Sequence, residues 1–150
     1  MPPSHLIHGS CAAWNGDGVL LLGPPGSGKS DLLLRLLGRG WALVADDQVQ
    51  LDAAADGLLA SAPPRLAGMV EARGLGILGG LATAAAPLRL VAELAAEVPR
   101  LPEPRPWAGF GVSIPAMPLR PFEASAPDKL EHALAVLRGR LTMTAGAFAA

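Results

Sequence analysis

The chain has 150 residues and a mass of 15.3 kDa, which fits one ordinary domain and leaves no room for a second catalytic one. Twelve Lys and Arg against thirteen Asp and Glu give a formal charge of −1, so no global field draws in nucleic acid or an anionic membrane, and any anion site must be local. Hydrophobic residues make up 51%, but the uncharged stretch from Gly74 to Leu88 is too short for a bilayer span and is broken by glycines and a proline. No cationic segment leads into an apolar run at the start, and the single Cys11 has no partner for an internal disulfide. The expected setting is therefore cytoplasmic and reducing.

In chain order, Leu6 to Trp14 is a short first element of mixed character that ends at Asn15-Gly16-Asp17-Gly18, a hairpin-turn signal. Val19-Leu20-Leu21-Leu22 is a continuous apolar run of the kind a strand buried on both faces shows. After a glycine-rich turn, leucines 32, 33, 36 and 37 recur at helical spacing from Lys29, with Gly40 as the stop. Ala42 to Ala45 is the next strand and delivers Asp46-Asp47. Val49 and Leu51 continue in alternation to a turn at Ala53 to Gly57 and a return strand at Leu58 to Ala60, which Pro63-Pro64 ends. Met69 to Leu78, with Gly74 and Gly76 in apolar company, is open between loop, strand and helix. Leu88 to Leu94 reads as a strand, and the four prolines of Pro99 to Pro106 require a loop or an extended segment without ladder donors. Val112 to Ile114 is expected to be the last strand. Ser125-Ala126-Pro127-Asp128 is a capping-box start to a helix carrying Leu130, Ala133, Leu134 and Leu137. Beyond Gly139 no pattern emerges, and there are no internal repeats.

Gly23-Pro24-Pro25-Gly26-Ser27-Gly28-Lys29-Ser30 fits the phosphate-loop pattern and lies where the mechanism needs it, after a buried strand and at the start of a helix. Backbone N–H groups of the turn and of the helix N-terminus surround an anion, Lys29 adds a point charge for the outer phosphates, and Ser30 offers a hydroxyl to Mg²⁺. The predicted nucleotide-binding residues are Gly23, Gly26, Ser27, Gly28, Lys29 and Ser30, and the predicted ligands ATP and Mg²⁺. Asp46-Asp47 follow the next strand, where phosphate-loop proteins place a carboxylate that reaches the metal or the nucleophile. If the strand continued, the two would point to opposite faces, and only a bend could turn both toward a nucleotide.

The run Val44-Ala45-Asp46-Asp47-Gln48-Val49, the segment Glu71-Ala72-Arg73-Gly74-Leu75-Gly76-Ile77 and the phosphate loop together resemble the catalytic domain of HPr kinase/phosphorylase, the bifunctional protein-serine kinase of the phosphotransferase system. The Glu-x-Arg-Gly-Leu-Gly-Ile segment is similar to that family's signature. His8-Gly9-Ser10 matches a family histidine, and Pro121 to Pro127 resembles the end of the short alphaproteobacterial forms, so the resemblance runs over nearly the whole chain.

The resemblance implies a single P-loop α/β kinase domain over residues 1–150, built on a mixed sheet with hairpins and flanking helices. It implies ATP-dependent phosphorylation of a serine of HPr, with phosphorolysis of phosphoserine-HPr as the reverse activity. Asp46 would be general base in the forward direction and acid in the reverse one, Asp47, Glu71 and Ser30 would hold Mg²⁺, and His8 would lie near the transferred phosphate. Arg100, in the proline-rich segment before the expected last strand, is the nearest match to an arginine that assists the chemistry. The partner is an HPr-like phosphocarrier protein, and homo-oligomer formation stays open.

Blander readings stand beside these. Glu71 and Arg73 can simply pair with each other, His8 can be a hydrogen-bonded surface residue, and Cys11 reads as a small core residue. Trp107 and Phe110 are either loop anchors or a partner surface. Two other functions also fit the phosphate loop, an ATP-binding regulatory module with little catalysis and a kinase of a small metabolite.

Overall fold

A computed structural model describes residues 4–149. In chain order the elements are strands β1 (His5–His8), β2 (Ser10–Trp14) and β3 (Asp17–Leu22), helix α1 (Lys29–Gly38), and strands β4 (Ala42–Ala45), β5 (Gln48–Ala54) and β6 (Gly57–Ser61). A 3₁₀ turn at Pro64–Leu66 precedes β7 (Val70–Ala72), β8 (Gly76–Leu78), β9 (Ala86–Leu94), β10 (Trp107–Gly109), β11 (Val112–Ile114) and β12 (Ala116–Leu119), and helix α2 (Ala126–Leu137) follows. The main sheet is mixed and curled, in the order β1-β5-β6-β9-β3-β2-β4, with β12 also on β9. The N-terminal end of β9 takes β6 as an antiparallel neighbour at Ala86 and Pro87, while its C-terminal half takes β12 in parallel over Val91–Leu94. That shared edge is where the sheet divides into two lobes.

The mixed first element is two strands. Leu6 and Ile7 pair with β5, whereas Cys11 to Ala13 lie between β3 and β4, and the chain turns the corner at Gly9. A Cβ at Gly9 would stand 2.9 Å from the carbonyl oxygen of Leu21, so only glycine lets the backbones approach this closely. The hairpin predicted at Asn15-Gly16 forms with both residues at positive φ, 51° and 85°, the two-residue turn whose twist matches its strands.

The apolar run in β3 is buried on both faces, as its lack of alternation requires. Val19 and Leu21 face the helices and join Leu32, Leu33 and Leu36 of α1 and Leu130 and Leu134 of α2. Leu20 faces the opposite way, into a second core with Val44, Val49, Leu51 and Leu58. Cys11 is fully buried there, and burial pushes its thiol pKa up to about 12, which makes it a packing residue without thiolate chemistry.

Helix α1 ends as its sequence dictates. Gly40 takes φ 92°, its N–H donates to Leu37 O at 3.2 Å, and the Trp41 N–H donates to Leu36 O at 3.1 Å, the paired bonds of a Schellman stop. At α2 the start is placed correctly but the capping box does not form. Ser125 makes no side-chain bond to the first turn, and the buried Pro127 fixes that turn instead.

Two other expectations change. Val112–Ile114 is not the last strand: it is half of a hairpin with Trp107–Gly109, and β12 follows with Pro118 inside it. Proline is tolerated because β12 pairs with β9 alone and so sits at an edge. The hairpin tip Phe110 stacks on His5 with ring centroids 3.9 Å apart, which makes it an anchor onto β1. The undecided segment Met69–Leu78 is a short ribbon of β7 and β8 turning at Arg73-Gly74. Among the described residues, no helix is long and apolar enough to cross a membrane.

Candidate functional site

The ends of β1, β3 and β4 and the start of α1 converge on a cleft of about 350 Å³, lined among others by His8, Gly26, Lys29, Ser30, Asp47 and Glu71. Its floor is the phosphate loop. Gly26 and Gly28 hold φ of 80° and 105°, a conformation that a side chain would strain and that turns successive N–H groups toward one point. Ser27 N–H donates to Pro24 O at 3.0 Å and closes the loop, and Leu32 N–H donates to Gly28 O at 2.9 Å as the helix starts. Lys29 is buried, and its ammonium donates to the carbonyls of Gly23 at 2.5 Å and Pro24 at 3.0 Å. Burial lowers its pKa, and the negative charges of Asp46 and Asp47 oppose that shift.

The strand does not continue through the two aspartates. Asp47 has φ 71°, Gln48 N–H reaches back to Asp46 O at 2.8 Å, and Gly9 N–H holds Asp47 O at 3.1 Å. This bend turns toward one cleft two carboxylates that an unbroken strand would have placed on opposite faces, and it sets them at different depths. Asp46 goes beneath the loop, 5% exposed, and accepts hydrogen bonds from Ser10 Oγ at 2.7 Å, from Ser30 Oγ at 2.9 and 3.1 Å, and from Glu71 N–H at 3.1 Å. Asp47 stands on the cleft wall with its side chain 66% exposed, its Oδ1 lying 3.6 Å from His8 Nδ1.

The residues fit a metal-bound nucleoside triphosphate. The loop is a glycine cradle, and a hydroxyl-carboxylate pair, the half-buried Ser30 and the buried Asp46, lies under it. Among the described residues no group of three or more His, Cys, Asp or Glu side chains could cage a metal by itself. An Mg²⁺ ion here would therefore draw its other ligands from phosphate oxygens and water, as the phosphate-loop class does.

Of the sequence-predicted residues, the fold brings His8, Gly26, Gly28, Lys29, Ser30, Asp47 and Glu71 to one cleft, with Asp46 under its floor. Gly23 contributes through its carbonyl. The Ser27 hydroxyl is buried away from the cleft without a partner, close to where a Cβ of Gly23 would stand. Glu71 and Arg73 both line the cleft, and no ion pair joins them among the described residues. The fold does not bring Arg100 to this cleft: it lines a separate groove between Val98–Leu101, β12 and the residues around Phe148. The proline-rich segment departs from the C-terminal end of β9 toward α2, which carries Arg100 away from the phosphate loop. Sequence reasoning missed Ser10, whose buried hydroxyl orients Asp46, and Phe122, which arrives from just before α2 to overhang Gly28. A short polar residue two positions after His8 was the only signal for the first.

Comparison with known proteins agrees with this arrangement. The family model of the HPr Serine kinase C-terminal domain matches residues 1–82, which carry every lining residue of the cleft except Phe122. HPr kinase/phosphorylase of Bordetella petrii is 44% identical over 79 residues, covering 52% of this chain and 26% of that protein. HPr kinase/phosphorylase 1 of Oceanobacillus iheyensis is 44% identical over 77 residues, covering 51% and 25%. The match thus spans about a quarter of the length of these relatives. The Hpr(Ser) kinase/phosphatase from Coxiella burnetii shares the fold, with a TM-score of 0.76 over 91% of this chain and 97% of that one at 23% identity. With its phosphate loop, paired aspartates and Glu71 segment all inside the matched region, the chain belongs to the HPr serine kinase C-terminal domain family.

Proposed function

We propose that this chain transfers the γ-phosphoryl group of ATP to a serine hydroxyl of an HPr-like phosphocarrier protein. The observation that carries the reading is that the bend at Asp47 brings both carboxylates to the phosphate-loop site at different depths: one is buried on the phosphate-loop serine and the other is exposed beside His8.

Phosphoryl transfer is mainly positioning and charge stabilisation, so each group has a limited task. The loop N–H groups and Lys29 would hold the phosphates, and Ser30 with Asp46 would form the metal side, while Glu71 lines the cleft nearby. Mg²⁺, when bound, neutralises charge on the phosphate oxygens. Three donors already occupy the buried Asp46 carboxylate, which leaves it badly placed to accept a proton from a protein substrate. Asp47 is open to the acceptor. We therefore assign the base to Asp47, with His8 orienting it, and the metal side to Asp46, the reverse of the division that the resemblance implies. The serine oxygen forms the new bond to phosphorus as its proton passes to the Asp47 carboxylate, the bond from phosphorus to the bridging oxygen breaks, and ADP leaves. In phosphorolysis, the second activity in the relatives' names, an orthophosphate oxygen would form the new bond to phosphorus as the serine O–P bond breaks, Asp47 would return the proton to the serine oxygen, and pyrophosphate would leave.

Intact-mass spectrometry of HPr after incubation with this chain, ATP and Mg²⁺ tests the acceptor. One added phosphoryl group, mapped to a serine, is expected. Unmodified HPr in the presence of tight ATP binding would point to a small-molecule acceptor or a sensing role instead.

A further inference from the structure

We propose that Phe122 is the platform on which the base of the bound nucleotide stacks, with Leu34 as its second apolar wall; the proposal rests on the nucleotide reading of the cleft. Aromatic side chains left in water without packing are unusual, and the other two phenylalanines are packed: Phe110 on His5, Phe148 against the helix-side core. Phe122 stays 68% exposed, yet it is held with care. Arg35 of α1, itself paired with Asp31 at 3.1 Å, donates to the carbonyl oxygens on both sides of the phenylalanine, that of Pro121 and, at 3.4 Å, that of Glu123. Pro121 is buried, and α2 begins three residues beyond Glu123. The segment is clamped, so the ring is positioned before any ligand arrives.

The clamp aims the ring at the phosphate loop. An added Cβ at Gly28 would lie 2.8 Å from Phe122 Cζ, and the ring lines the same cleft as Lys29, Ser30, Asp31 and Leu34. Leu34 is 39% exposed on α1, one helical turn after Ser30, and lines the same cleft as Phe122. Phosphates held at the loop leave the nucleoside to extend toward the cleft mouth, where a π-face and an aliphatic side chain offer stacking without base-specific hydrogen bonds. Every base has a π-face, so the platform takes nucleoside triphosphates as a class without selecting the base. A pre-positioned ring also avoids the ordering cost that a free aromatic would add on binding. Phe122 lies outside residues 1–82, so the family match assigns it nothing.

Calorimetric titrations of ATP and of inorganic tripolyphosphate, each with Mg²⁺, into the wild type, Phe122→Ala and Phe122→Trp test the assignment. The platform predicts that Phe122→Ala loses about tenfold in ATP affinity while tripolyphosphate affinity stays unchanged, and that Phe122→Trp keeps wild-type ATP affinity. Unchanged ATP binding by Phe122→Ala would overturn the proposal. So would an equal loss for both ligands, which would make the ring a prop for Gly28. If the wild type bound neither ligand, the nucleotide reading itself would fall and the platform with it.

Discussion

Lys29→Ala is expected to lose nucleotide affinity and phosphoryl transfer together. The ammonium now bridges the carbonyls of Gly23 and Pro24, so it is pre-positioned over the loop and partly stripped of water, and its pKa is lowered by that burial. Phosphates offer it stronger, charge-assisted partners than two neutral carbonyls, and binding an anion stabilises the charged amine. Removing such bonds lowers ATP affinity by roughly 10- to 100-fold. Charge also builds up during transfer, where Lys29 acts at close range, so the rate of transfer should fall by a further factor of about 10²–10³. Equilibrium titration followed by single-turnover transfer separates the two losses. A variant that bound ATP normally would show that the phosphates sit elsewhere.

Asp47→Asn is expected to behave differently. The side chain is exposed on the wall beside His8, outside the hydrogen bonds that close the loop, so nucleotide affinity should stay within about twofold of wild type. The amide cannot accept the serine proton. Transfer in both directions should therefore drop by about 10²–10⁴, the usual worth of a positioned general base. Single-turnover rates at saturating ATP provide the comparison. A variant with full transfer activity would remove Asp47 from the reacting atoms.

Much of this site is legible in the sequence because its chemistry is local. The loop from Gly23 to Ser30 depends on glycines at fixed offsets and on one strand and one helix that flank it, all of which short-range pattern reveals. Asn15-Gly16 dictates its turn by the same logic, since few other pairs accept positive φ at both positions. Asp46-Asp47 stand out as acidic residues ending an apolar strand, but their separate tasks do not. That depends on the bend at Asp47 and on Gly9, Ser10 and Glu71, which come from two other places in the chain.

The misses have the same origin. The mixed element through Gly9 reads as one piece until the close approach of Leu21 shows why the chain must change lobes there. Pro118 masks β12, because a proline argues against a strand unless the neighbour on its other side is known to be absent. Arg100 resembles a functional residue by its place in sequence order, yet the path of the chain after β9 takes it to another groove. Phe122 gains its meaning only from Arg35, 87 positions earlier, which holds the carbonyls on either side of it.

The division of labour between the two aspartates is the centre of this account, and calorimetric titration of ATP with and without Mg²⁺ into Asp46→Asn and Asp47→Asn tests it most directly. Mg²⁺ should tighten ATP binding by the wild type and by Asp47→Asn, and should do little for Asp46→Asn, whose amide no longer supplies a full charge beside Ser30. If Asp47→Asn lost the Mg²⁺ dependence while Asp46→Asn kept it, the metal side would belong to Asp47 and the assignment of the base would be overturned.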